Sequence, residues 1–196
     1  MRTVVTLLSL LILTFNLAAQ DSANAWKIIP GKSIGHITIG APSEALRVLG
    51  MPDGGDAAMM KAWHYWFGRT RSKTIDSSHM LAVYTAMRTQ DTQYVKEIRV
   101  NSPRFRTDKG VGPGSLMSEI RKAYPGLKLA KSYLSQNMQH QLDVYDDKEL
   151  GIAFETANPE SNNPVCVMVV VHNPGETAGT NLDFHVGYDL LIPKTQ

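Results

Sequence analysis

The chain has 196 residues, a formal net charge of +2 and one cysteine, Cys166. Nucleic-acid affinity depends on clustered Lys and Arg, so a near-neutral chain without a basic run is not expected to bind nucleic acid. A single cysteine excludes an intramolecular disulfide, and its apolar strand-like run, 164–171, predicts a buried, unreactive thiol.

Residues 1–25 have the pattern of a secretory signal peptide. Arg2 is followed by an apolar run over 4–15, and Ala25 or Ala19 offers a cleavage site after small residues. The run is shorter than the roughly 20 apolar residues that span a membrane, so we expect no stable membrane anchor once the signal is removed. The sequence therefore predicts a periplasmic or secreted protein.

Two segments that begin with glycine, 40–50 and 114–124, repeat the same pattern. A β-branched residue lies three positions before the first glycine of each, Ile37 in one and Val111 in the other. Each segment predicts a helix of about two turns. So short a helix is not stable alone and must lie on a sheet.

Three strand-like runs follow each predicted helix, and Asp146 and Asp147 indicate a hairpin turn in the second set. The runs are 62–67, 80–84 and 94–100 in the first set, and 141–145, 151–155 and 165–172 in the second. We therefore predict an α+β fold of two tandem units, each a helix followed by an antiparallel three-stranded meander. The two sheets are expected to join or pair, with the short helices on one face.

The predicted organisation divides the chain into four parts. They are a signal peptide over 1–25, a first repeat over 26–103, a second repeat over 104–174, and a tail or extra edge strand over 175–196. Whether the two repeats form one domain stays open at this point.

The helix pattern, G-(I/V)-x-x-G followed by an acidic residue and then L-G-x-P, resembles outer-membrane assembly lipoproteins of the SmpA/OmlA type. Two such units in tandem, each followed by an antiparallel sheet, resemble β-lactamase inhibitory proteins. The second resemblance implies two sheets that join into a concave surface for a partner protein. The chain lacks the lipid-bearing cysteine of the first family and the paired cysteines usual in the second.

No catalytic motif is present, and the six histidines show no metal-ligand spacing. The sequence therefore predicts a protein that is not an enzyme and uses no cofactor or metal.

Strand alternation predicts a recognition surface. The bulkier residues Trp63, Tyr65 and Phe67 are expected to face the helices. The opposite sheet face would then carry His64, Trp66, Tyr84, Asp143, Tyr145 and Glu155. Aromatic residues on a polar face are typical of protein-recognition surfaces, although the other repeat or the tail could instead close this face.

The leading functional prediction is thus a non-catalytic binding module for another exported or envelope protein. The alternative is a binder of small molecules or glycans, because Trp and Tyr rings stack on sugars. An enzyme of unrecognised type ranks third.

Overall fold

The computed structural model describes residues 24–89, 92–135, 141–157, 162, 164–179 and 191–193. Nearly all of the predicted signal peptide and much of the predicted tail lie outside these residues. No helix in the described part of the chain is long and apolar enough to cross a membrane.

Two sheets and two short helices make up the described structure. The small sheet contains β1 (Lys27–Ile29), β2 (Ser33–Ile34), β3 (Ile37–Thr38) and β8 (Arg106–Thr107). The large sheet contains β4 (Gly54–Ala58), β5 (Lys61–Arg69), β6 (Ile75–Thr89), β7 (Thr92–Val100), β9 (Lys128–Ser135), β10 (Gln141–Asp147), β11 (Ile152–Ala157), β12 (Val165–His172) and β13 (Leu191–Pro193). The helices are a 3₁₀ helix at Ser43–Leu49 and α1 at Met117–Ala123.

The nine strands of the large sheet are continuous and antiparallel, in the order β13-β9-β10-β11-β12-β7-β6-β5-β4. The middle of the sheet is the β7–β12 pair, where Val100 lies opposite Val169 and Glu97 lies opposite His172. Both strands are rich in β-branched residues, which favour the pleated backbone. This pairing joins the earlier and later strands into one sheet.

The main core lies between one face of the large sheet and a layer formed by the small sheet and the two helices. Its buried side chains include Ile28 from β1, Leu46 from the 3₁₀ helix, Ile120 from α1, and Ile98 and Val169 from the central strands. The helices are too short to be stable alone, so this apolar contact supports them.

The opposite face of the large sheet is also buried at its centre. Trp63, Met80 and Tyr84 form one apolar cluster there, and Tyr133 and Leu142 belong to a second. Strand residues on both faces are thus removed from water.

The two helices are preceded by the same hydrogen bond to the large sheet. The Gly40 amide donates to the carbonyl of Val95 at 2.8 Å, and the Gly114 amide donates to the carbonyl of Cys166 at 2.8 Å. Both glycines have positive φ angles, +78° and +86°, a backbone conformation that residues with a side chain rarely adopt.

The predicted α+β class, with two helix-plus-meander units, is wrong. The structure is mostly strand, each helix has seven residues, and the meanders are parts of a single nine-stranded sheet. The six predicted strand runs are present, but β4, β9 and the small sheet were missed. The residues of β4, Gly-Gly-Asp-Ala-Ala, have little β propensity, and pairing with β5 makes them a strand.

The prediction that Cys166 is buried is confirmed. Burial raises the pKa of its thiol far above the usual value, although a contact with the Met168 carbonyl acts the other way. The thiolate that would react is therefore strongly disfavoured.

Candidate aromatic cleft

A cleft of about 430 Å³ lies where the β1–β8 pair meets β5 and β6. We call it the aromatic cleft. Its lining includes four aromatic residues, Trp26, Trp66, Phe67 and Phe105. It also includes four charged or titratable residues, Arg69, Asp76, His79 and Arg104. Its volume is in the range of small-molecule sites.

Parallel pairing of β1 with β8 forms one wall of the cleft. Lys27 lies opposite Arg106, and the Arg106 amide donates to the carbonyl of Trp26 at 3.0 Å. Trp26 and Phe105, the residues just before the paired ones, therefore lie side by side. Their ring centres are 5.0 Å apart, at 64°. This edge-to-face contact positions both rings.

Arg104 stacks on that wall. Its guanidinium carbon lies 3.7 Å from the centre of a Trp26 ring. Guanidinium groups stack on indole through a cation–π interaction, which fixes the plane of the group while its N–H donors stay at the edges. The charge of Arg104 is thus held at the cleft by the aromatic wall.

Arg69, on the opposite wall, is engaged within the protein. It forms an ion pair with Asp53 and donates to the carbonyls of Phe67 and Gly68. The hydrogen bond from Arg69, followed by one from the Phe67 amide, lowers the pKa of Asp53. Arg69 therefore shapes the wall, and its charge is paired with that of Asp53.

Asp76 and His79 form a polar corner of the cleft. The Nδ1 atom of His79 lies 3.2 Å from Asp76 and 2.9 Å from the Ser78 hydroxyl. The Ser78 hydroxyl donates to Asp76 and lowers the pKa of that carboxyl. Asp76 is consequently ionised at neutral pH, and the Nε2 atom of His79 has no hydrogen-bond partner among the described residues.

Of the six residues predicted to share one sheet face, two lie beside the 3₁₀ helix. His64 and Trp66 line a second cleft of about 290 Å³ against that helix, with ring centres 6.2 Å apart. The Trp66 indole donates to the carbonyl of Gly50 at 3.2 Å. Trp66 also lines the aromatic cleft, so it separates the two spaces.

Asp143 and Tyr145 lie on the helix side as well, beside α1. The guanidinium carbon of Arg121 lies 4.6 Å from the centre of the Tyr145 ring. Asp143 accepts hydrogen bonds from Ser132, Gln141 and Tyr145. Burial, followed by the charge of Asp143, raises the pKa of Tyr145. Asp143 and Tyr145 thus contact neighbouring side chains, and their strand, β10, is far from the strand of His64, β5, in the sheet order.

Tyr84 and Glu155 do lie opposite the helices, but they are buried, each with 1% exposure. Glu155 accepts from Arg99 at 2.9 Å, and Arg99 also donates to Glu97 at 2.5 Å. The single recognition face predicted from strand alternation is therefore wrong. Both sheet faces are buried centrally, so alternation in β5 and β10 could not indicate which side met the helices.

The sequence prediction also missed a buried ionic network on that opposite face. His172 lies 2.9 Å from Asp146, and the amides of Ala178 and Gly179 donate to Asp146 and Glu97. Asp146 was predicted to be a turn residue, yet it lies within β10 and is buried. The sequence did contain a signal for this network, because the charged residues Glu97 and Arg99 lie two positions apart, on one face of the strand-like run 94–100.

Among the described residues, no group of three or more His, Cys, Asp and Glu side chains is placed to hold a metal ion. Compared with known proteins, the chain has no significant match to a family model, a curated protein or a solved structure. The aromatic cleft is therefore interpreted from its geometry and chemistry.

Proposed function

We propose that this chain is a non-catalytic binding module and that its ligand binds in the aromatic cleft. The observation that carries the proposal is the convergence of Trp26, Trp66 and Phe105 with the stacked Arg104 around a cavity of about 430 Å³. Apolar cavities with a few placed polar groups are typical of small-molecule sites. The signal-like pattern of residues 1–25 supports an exported location.

A binding role also fits the state of the reactive groups. Cys166 is buried with a raised pKa, and His172 is bonded to Asp146 in the interior. Neither Cys166 nor His172 lines the aromatic cleft. The proposal therefore favours the alternative of a small-molecule binder over the protein-recognition surface predicted from the sequence.

The three tryptophans of the chain allow a direct test. Trp26 and Trp66 line the aromatic cleft, whereas Trp63 is buried on the opposite sheet face. In the chain labelled with 5-fluorotryptophan, the ring compound 1-anilinonaphthalene-8-sulfonate should shift the fluorine resonances of Trp26 and Trp66 and leave Trp63 unmoved.

Two variants make the test specific. Replacing Trp26 with Ala should weaken dye binding at least about ten-fold, because it removes the rim of the wall. Leu129→Ala, at a residue that is also exposed but lies on β9, should leave dye binding unchanged. Dye binding unaffected by Trp26→Ala would refute the assigned site.

Recognition of a partner protein is a second candidate, favoured by the free edge of the large sheet. β4 ends the strand order, and Gly55–Ala58 are exposed. Met59 and Met60 follow directly, with 93% and 64% exposure. An extended partner segment can add a strand to such an edge, and methionines adapt to varied partners. The resemblance to β-lactamase inhibitory proteins stays a prediction.

Capture experiments distinguish the two candidates. A periplasmic protein retained by the native chain should be lost with Ala57→Lys, since a lysine on an edge strand opposes strand addition. The same protein should still be retained by Trp26→Ala. Capture that survives Ala57→Lys would contradict edge-strand recognition.

A further inference from the structure

The ligand class of the aromatic cleft follows from the difference between its two arginines. Arg69 is neutralised by Asp53 and bonded to two carbonyl groups. The guanidinium of Arg104 stacks on Trp26, and it has no acceptor or counter-ion among the described residues. The pre-positioned charge of Arg104 is thus open to a direct hydrogen bond with an anionic group of a ligand.

The stacked geometry selects the shape of the anion. The planar guanidinium of Arg104, placed 3.7 Å from the Trp26 ring centre, presents its N–H donors as a fork that matches the two oxygens of a carboxylate. Of the described residues that line the cleft, Arg104 alone has a guanidinium without a carboxylate partner, and the ionised Asp76 lies in the same cleft. A single negative charge is therefore matched, whereas a doubly charged phosphate would carry a second charge toward Asp76.

The remaining walls select the body of the ligand. Trp66 and Phe105 present aromatic surface beside the Arg104–Trp26 stack. Flat rings pack on such surfaces in offset or edge-to-face contacts. We propose that the aromatic cleft binds small organic monoanions that carry a carboxylate on a flat ring. This inference rests on the proposed binding function of the cleft.

A matched pair of probes tests the charge requirement. Indole-3-propionate and its neutral amide, indole-3-propionamide, share the same ring and linker. We expect the carboxylate to bind the native chain about ten-fold more tightly, as a charge-assisted pair with Arg104 would provide. The fluorine resonances of Trp26 and Trp66 report binding of both probes.

Variants assign the preference to one residue. Arg104→Gln should reduce the ratio of the two dissociation constants to about one, because the amide side chain removes the charge. Arg104→Lys should restore part of the preference. Arg71→Gln, at an exposed arginine outside the cleft, should leave it unchanged.

The outcomes separate this inference from the proposed function. Equal binding of the carboxylate and the amide, with both shifting Trp26 and Trp66, would overturn the monoanion assignment and leave the binding function standing. If neither these probes nor the naphthalene dye shift those resonances, both proposals fail. Binding of a peptide that ends in Gly-Trp with a free carboxylate at least about ten-fold more tightly than indole-3-propionate would overturn the small-molecule assignment in favour of a protein C-terminus.

Discussion

The guanidinium of Arg99 lies 2.9 Å from the carboxylate of Glu155, although β7 and β11 are separated in the sheet by β12. Arg99 also contacts Glu97 on its own strand, and all three side chains are buried. The network links β7 to β11 across the intervening β12 at the centre of the sheet, on the face opposite the helices.

Replacing Arg99 with Met should lower the free energy of unfolding by about 3–5 kcal/mol, because two buried carboxylates lose their counter-ion. The triple variant Arg99→Met, Glu97→Gln, Glu155→Gln should recover most of that loss. Urea denaturation measures both. Arg69→Met, at the exposed pair with Asp53, should cost far less. A triple variant as unstable as the single one would contradict the electrostatic explanation.

The His172–Asp146 contact should make stability depend on pH. Burial acts to lower the pKa of His172, but the hydrogen bond and charge of Asp146, with smaller contributions from Asn173 and Glu97, raise it overall above 6.5. A raised pKa means that the contribution of protonated His172 is fully present below about pH 6.5 and is lost as the pH rises through the folded-state value.

The native chain should therefore exceed the His172→Gln variant in unfolding free energy by more at about pH 5.5 than at about pH 8.5. Denaturant titrations of both proteins at the two pH values give this difference. An advantage that grows toward high pH would show that the sign is wrong.

Gly151 lies where the small sheet meets the large sheet. Its carbonyl accepts from the Gly31 amide and from the His172 amide of β12, each at 3.1 Å. A Cβ atom at Gly151 would lie 2.5 Å from the His172 carbonyl oxygen and 2.8 Å from Gly31. Both sheets would have to move apart to admit it.

Gly151→Ala should therefore lower the melting temperature much more than Gly175→Ala. Both glycines have positive φ, but a Cβ at Gly175 meets nothing within 4 Å. We expect about 1 kcal/mol of backbone strain at each site and about 1–3 kcal/mol more at Gly151 from overpacking. Similar losses at both positions would remove the steric explanation.

The turn between β4 and β5 carries backbone strain. Met59 and Met60 connect Ala58 to Lys61, and their φ angles are +49° and +62°. Two-residue hairpins with both residues in the left-handed region favour Asn-Gly. Replacing Met59-Met60 by Asn-Gly should raise the unfolding free energy by about 1–2 kcal/mol in calorimetry.

Met51 provides the matched control for that replacement. It is 94% exposed and lies outside the left-handed region, so Met51→Asn should leave stability nearly unchanged. An increase at Met51 equal to that of the turn variant would mean that loss of exposed apolar surface, rather than relief of strain, stabilises the chain.

Local pattern predicted much of the secondary structure. The six predicted strand runs are present, the segment 43–49 is helical, and Gly40 and Gly114 make the tight turns expected of them. Alternation and glycine placement act over a few residues, so a single sequence contains these signals. β4 and the two-residue strands of the small sheet lack such a signal, because distant backbone partners make them strands.

The sequence by itself determined six of the extended segments, the tight turns at Gly40 and Gly114, and that Cys166 is buried. Only the tertiary structure decided which side of β5 and β10 meets the helices, because apolar clusters cover the centre of both sheet faces. The aromatic cleft depends on the same level of structure. Trp26 and Phe105 are far apart in the chain, and the parallel pairing of β1 with β8 brings their rings together.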